Sequence, residues 1–260
     1  MEESKIILSP DKSVVREGDL VLRPAQPWSD SIRAYLDWIR GRGFPAPRML
    51  DAGGGRTATE YLPGEMLHPC AWSDEALWEI GRLTARLHEA SRGFLPPRLF
   101  GEREDPFFAP WLLRELGGGE RVWSHGDIAP WNALTENGLP VRLIDWEFAG
   151  PVDPLMELAR VCWLFVQLAD DDLAEMYGLP SAEHRARQTR MVLDGYGLSA
   201  ARRREVPEAI LAVAICETAH EAIDPGVRPG DEGPLWGFAW RTRSVYWIWR
   251  HRALLESAMR

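Results

Sequence analysis

Up to residue 62 the apolar positions come in short alternating runs, Lys5 to Leu8, Val14 to Arg16, Asp19 to Arg23 and Thr57 to Leu62, broken by Ser-Pro-Asp, Glu-Gly-Asp and Gly-Gly-Gly. Alternation bounded by turn formers predicts strands. One helix interrupts them: Ile32, Tyr35, Leu36 and Ile39 recur at helical spacing between the N-cap candidates Ser29 and Asp30 and the breakers Gly41 and Gly43. Beyond Leu67 the period changes. Leu77, Ile80, Leu83 and Leu87 predict a helix over 74–90, and further helices are predicted over 155–169, 182–196, 208–222 and 235–258. Between them, residues 121–144 read as three short β pieces with turns at Ala129-Pro130 and Asn137-Gly138. Pro63-Gly64 is the natural boundary, giving a small β-rich lobe (1–64) and a larger, mainly helical lobe (65–260) of an α+β protein.

Composition narrows the class of partner. Of 260 residues, 45% are apolar and 27% charged, and no apolar run approaches the roughly 18 residues of a membrane helix, so a soluble protein is expected. The acidic start lacks a secretory pattern, and the three cysteines are widely spaced, which fits a reducing cytoplasm. A formal charge of −9 disfavours nucleic acid and is compatible with a cationic small substrate. Trp236, Trp240 and Trp247, among thirteen tryptophans, stand at helical spacing. They read as core packing, with a ligand-stacking face as the alternative.

Gly53-Gly54-Gly55 invites comparison with the glycine-rich cofactor loop of methyltransferases, which requires a helix directly afterwards. Here Thr57, Thr59 and Tyr61 alternate and Pro63-Gly64 stops the run, so a hairpin turn is expected and S-adenosylmethionine binding is not. His88, on the apolar face of its helix, reads as a hydrogen-bonded core residue.

The run His125-Gly126-Asp127-Ile128-Ala129-Pro130-Trp131-Asn132 is different. It places an acid and an amide five positions apart, and Asp145 follows within Leu143-Ile144-Asp145-Trp146-Glu147. Phosphoryl transfer from ATP needs magnesium on the phosphates and a carboxylate that orients the attacking hydroxyl, and these three side chains supply both. If Asn137-Gly138 turns a hairpin, the returning strand carries Asp145 back beside Asn132.

These residues resemble the aminoglycoside phosphotransferase family, small-molecule kinases related to choline and homoserine kinases, whose pattern is H-G-D-x-x-x-x-N followed by I-D-[WF]-[EG]. The resemblance implies a bilobal protein-kinase-like fold clamping ATP, or GTP, between lobes. It implies Asp127 as catalytic base or hydroxyl orienter, Asn132 and Asp145 as Mg2+ ligands, and Glu60, Tyr61 and Leu62 as the hinge against the base edge. His125 would brace the catalytic loop. The acceptor, an aminoglycoside-like or other cationic small molecule, would lie over the helical lobe, with Glu157, Glu217, His220, Glu221 and Asp224 as candidate contacts. Three departures stand out. The small lobe is short, Arg16-Glu17-Gly18-Asp19 replaces a glycine-rich phosphate loop, and Arg23 stands where the family has a strand lysine, with only Asp30 and Asp37 on the helix that usually offers it a glutamate. They leave a catalytically degenerate, kinase-like binding protein as the alternative.

Overall fold

The computed structural model describes residues 5–10, 12–96, 107–223, 226 and 236–260. Its N-terminal part is a five-stranded antiparallel sheet in the order β1 (Lys5–Ser9), β2 (Val14–Glu17), β3 (Leu20–Pro24), β5 (Arg56–Glu60), β4 (Met49–Gly53). The strand β4 escapes the sequence reading because Asp51, Ala52 and Gly53 break its alternation; pairing with β5 supplies the order instead. Gly53, Gly54 and Gly55 all have positive φ and turn the chain from β4 into β5, as a hairpin requires and a cofactor loop does not.

Helix α1 (Ser29–Arg40) crosses between β3 and β4. Trp28 holds its N-cap position without a side-chain bond, while the expected cap residue Ser29 accepts the Gln26 amide instead at 2.8 Å. The apolar face of α1 joins the same continuous core as the helical part. Tyr35 is fully buried and meets Ser91 Oγ at 2.7 Å and the Trp123 carbonyl at 3.1 Å.

Helix α2 (Asp74–Ser91) starts at Ser73, whose hydroxyl accepts the Ala76 amide. It lies against α5 (Ala182–Tyr196), with the backbones drawn together at Gly81 and Gly195. Strand β6 (Val122–Ser124) pairs with β9 (Gly150–Val152), and β7 (Ala133–Glu136) forms a hairpin with β8 (Leu139–Leu143). Asn137 and Gly138, at φ of 52° and 78°, make the expected turn. Helix α3 (Pro154–Val166) is capped by Asp153, which accepts the Leu155 amide at 2.8 Å, and opens on Pro154. It ends before residue 169 because Gln167 turns left-handed.

The short helices α4 (Asp171–Met176) and α6 (Ala200–Arg203) lie on either side of α5, and α7 (Val206–Ile223) follows. The predicted C-terminal helix is two, α8 (Trp236–Arg250) and α9 (Arg252–Ala258), divided at His251. Leu235 and Asp224 lie outside the described residues. Among the described residues no helix is long and apolar enough to cross a membrane. The α+β class expected from the sequence, a β-rich N-terminal part followed by a mainly helical remainder, is the one observed.

Candidate active site

The run 125–132, the candidate catalytic run, lies between β6 and β7 and is held from several sides. Gly126 has φ of 78°, and a Cβ there would overlap the Phe148 carbonyl oxygen, so glycine is required at this close turn. The Gly126 amide donates to Glu157 Oε1 at 2.7 Å, and Glu157 Oε2 meets His88 Nε2 at 2.6 Å. Burial pushes the Glu157 carboxyl up, but the His88 and Gly126 contacts outweigh it and hold the group below its ordinary range. His88 also meets the Tyr196 hydroxyl at 2.8 Å, so it is the hydrogen-bonded core residue the helix pattern predicts. His125 Nε2 bonds the Ile144 carbonyl at 2.9 Å while Nδ1 accepts the Asp127 amide at 3.2 Å, which ties the run to the end of β8. This bracing agrees with the sequence expectation.

Asp127 is gripped through both oxygens. Asn132 Nδ2 donates to Oδ2 at 2.8 Å and to the Asp127 carbonyl at 3.0 Å, and Arg160 Nη2 lies 2.8 Å from Oδ1. Arg160, 2% exposed, continues to Glu217 Oε2 at 2.8 Å and the Ile128 carbonyl at 3.3 Å. Burial alone would lower its pKa; Glu217 and Asp127 more than compensate, so it stays charged. Arg160 is absent from the sequence reading, although the signal was there. An arginine inside the apolar run Leu158 to Val166 has to be buried, and a buried arginine requires an acid.

Asp145 arrives beside Asn132 as the hairpin predicts, for the Ile144 amide donates to the Asn132 carbonyl at 2.9 Å. Its backbone is left-handed, with φ of 63°. Arg23 reaches across from β3 to Asp145 Oδ1 at 2.6 Å and lies 3.7 Å from Glu147. The arginine that lacks a helix glutamate thus pairs directly with the proposed metal ligand. Burial raises the Asp145 carboxyl, but Arg23 and then Lys12 outweigh it and hold it below its ordinary range. Lys12, from the β1–β2 connection, binds Glu147 at 2.6 Å. Lys12 and Glu147 are further cleft residues that the sequence reading did not assign. Glu147 lay within the quoted motif; a lone lysine gives no such signal.

These groups line a cleft of about 970 Å³ between the sheet and the catalytic run, which also includes Glu60, Tyr61 and Leu62. The Glu60 and Tyr61 amides are bound to the Arg48 and Asp19 carbonyls, each at 2.8 Å, whereas Leu62 has no backbone partner among the described residues. Of the three amides, that of Leu62 is the one left open to a ligand. The donor set suits magnesium, which takes one or two protein oxygens and completes its shell with phosphates and water. Asn132 keeps its side-chain oxygen because only its nitrogen faces Asp127. Arg23 Nε is buried without a partner among the described residues, beside the cleft where a triphosphate would lie.

The expected acceptor contacts do not converge. Glu157 is fully buried beneath the catalytic run, and Glu217 is buried between Arg160 and Arg241. Glu221 holds Arg241 at 3.4 Å, and His220 packs edge-on against Trp111, centroids 5.7 Å apart. Trp247 is core, 3% exposed, as expected; Trp236 and Trp240 line a second cavity.

A model of the phosphotransferase enzyme family matches residues 13–119 and 107–190. The trifolitoxin immunity protein of Rhizobium leguminosarum bv. trifolii is 42% identical over 253 residues, 95% of each chain. Among solved structures, an aminoglycoside phosphotransferase from Alicyclobacillus acidocaldarius superposes with a TM-score of 0.59 at 14% identity, covering 100% of this chain and 92% of that one. A choline/ethanolamine kinase family protein from Mesorhizobium loti gives 0.57 at 18% identity, covering 98% and 92%. At such identities the structural likeness speaks for the fold, while the match across most of the sequence speaks for descent. The chain belongs to the phosphotransferase enzyme family and is a phosphotransferase with a hydroxyl as acceptor.

Proposed function

We propose that the protein transfers the γ-phosphoryl group of ATP to a hydroxyl of a small molecule, with Mg2+ held by Asn132 and Asp145. The observation that carries the reading is the double grip on Asp127: with one oxygen on Asn132 and the other on Arg160, its remaining lone pairs are fixed for the acceptor O–H. In the transfer the acceptor oxygen bonds to the γ-phosphorus as the bond to the bridging oxygen breaks. The electron pair leaves with ADP, and the hydroxyl proton passes towards Asp127. When bound, the metal would neutralise charge on the phosphates. Arg23 and Lys12 would bind the phosphate end, the Leu62 amide the base edge, and residues 1–64 would act as the nucleotide-clamping lobe.

The relative with 42% identity is named for immunity to trifolitoxin. On that likeness we assign the acceptor to toxic or antibiotic small molecules that phosphorylation disarms. The acids that could receive a cation, Glu217 and Glu221, are held by arginines, which favours an acceptor other than an aminoglycoside.

The test is acceptor-dependent ADP release across a panel of hydroxyl-bearing antibiotics and metabolites. Asp127→Ala and Asp145→Ala are expected to lower turnover by about 10³-fold or more with the fold retained. Full activity in the purified Asp127→Ala protein would overturn the mechanism. An unfolding temperature that fails to rise with ATP and magnesium would favour the degenerate binding protein instead.

A further inference from the structure

A second cavity of about 280 Å³ adjoins the catalytic run, and Trp131 lines both it and the nucleotide cleft. Its other aromatic walls are Trp163, Tyr177, Trp236 and Trp240. Trp163 lies on α3 one turn beyond Arg160, on the same side, so the helix that walls the cavity also holds Asp127. From α8 comes Arg241, joined through Glu217 to Arg160. Cavity and catalytic carboxylate are thus two ends of one buried chain of ion pairs.

Three lining residues carry a buried polar atom with no hydrogen-bond partner among the described residues: His68 Nδ1, Arg241 Nε and Ser244 Oγ. Ser244 is 1% exposed. Buried polar atoms are nearly always paired, so three left open around one aromatic cavity point to a ligand that completes them. Arg241 is the charged lining side chain among the described residues, and its guanidinium lies 4.5 Å over the Trp240 ring. Glu217 and Glu221 balance that charge from outside the lining, so the Trp240 face is already taken by a guanidinium and no carboxylate among the described lining residues is left to receive a second cation. Burial also keeps His68 below the ordinary histidine range, so it enters as a neutral ring. The volume is near the low end for ligand pockets, roughly 300–1,000 Å³, and suits one or two fused rings.

We propose that this cavity receives the acceptor, and that the acceptor presents an uncharged planar ring system with a ring N–H or other hydrogen-bonding group and a nearby hydroxyl. The assignment rests on the kinase reading above and names its substrate class.

The test is isothermal titration of the full-length protein with tryptophol, a neutral bicyclic aromatic alcohol, and separately with choline and kanamycin. The shift in unfolding temperature with ATP and magnesium is recorded on the same preparation. Tryptophol is expected to bind saturably, and Tyr177→Ala and the cavity-filling Leu179→Trp are each expected to weaken it about tenfold, the scale of one aromatic contact, with the nucleotide shift unchanged. A preserved nucleotide shift without saturable tryptophol binding overturns the acceptor class and leaves the kinase reading intact. So does tryptophol binding indifferent to both variants, or choline or kanamycin binding that both variants weaken. Loss of the nucleotide shift in the unaltered protein counts against the kinase reading itself.

Discussion

Asp127 has both carboxylate oxygens engaged before any substrate arrives, and the second partner, Arg160, is itself shared with Glu217. Removing the guanidinium would leave Asp127 short of a partner and Glu217 with a longer contact to Arg241 alone. Breaking a buried pair from one side costs about 3–5 kcal/mol, whereas replacing both partners by apolar groups is often close to neutral. Arg160→Met is therefore expected to lower stability on that scale in chemical denaturation, and Arg160→Met with Glu217→Leu to recover most of it. Because Asp127 stays loose in both, kcat should remain depressed in the double variant while the KM for ATP holds. Recovery of kcat together with stability would make Arg160 merely structural. Arg23 belongs to the same scale. Arg23→Ala should weaken nucleotide binding and so reduce the ATP-dependent rise in unfolding temperature, since the phosphate end then loses the guanidinium whose Nε is left open, among the described residues, beside the cleft.

At the scale of elements, the contact between α2 and α5 is made by two glycines facing opposite ways. A Cβ at Gly81 would overlap the Val192 carbonyl oxygen, and one at Gly195 the Trp78 carbonyl oxygen. Either alanine substitution has to push the helices apart, because the obstacle is backbone. We expect Gly81→Ala and Gly195→Ala each to destabilise by about 1–3 kcal/mol, read from thermal or denaturant unfolding. Each should also lower activity, for His88 on α2 and Tyr196 on α5 together brace Glu157 under the catalytic run. The helix pattern made α2 and α5 legible as elements. Their mutual closeness was not legible, since helix periodicity identifies an apolar face without naming its partner.

For the whole molecule, buried titrating groups set a pH dependence. Burial holds His125 below the ordinary histidine value of 6.5, so the unfolded chain takes up a proton that the folded protein refuses. Stability is expected to fall as pH drops below about 6.5 and to level off once the folded protein also titrates. Glu157 and Asp145 lie below their ordinary values, so their contribution is present above about pH 4.5 and is lost as pH falls through the lowered folded values. Denaturant unfolding from pH 8 to about pH 2 should show both descents, the carboxylate one beginning only below about 4.5; a curve flat from 7 to 5 would exclude the His125 component. The same core that buries His125 also contains Ile32, Leu36 and Ile39, so α1 is anchored to the helical part while its neighbouring strands line the cleft.

What the sequence determined by itself was whatever depends on short spacing. Periods of two and near 3.6 identified most strands and helices. Asn137-Gly138 and Gly53-Gly54-Gly55 located two turns, and the spacing of Asp127, Asn132 and Asp145 brought these groups together through a single hairpin whose length is local information. What only the tertiary structure decided was the pairing of charges far apart in the chain. Arg23 meets Asp145 across 122 positions and Arg160 meets Glu217 across 57. An acid on an amphipathic helix reads the same whether it faces a ligand or a guanidinium, and Glu157, Glu217 and Glu221 proved to have protein partners. Tryptophans at helical spacing were equally ambiguous: Trp247 entered the core, while Trp236 and Trp240 came to wall a cavity. The physical reason is common to both cases. Burial and charge compensation are properties of the packed assembly, where desolvation makes each partner necessary, and local sequence spacing carries no record of which distant side chain will supply it.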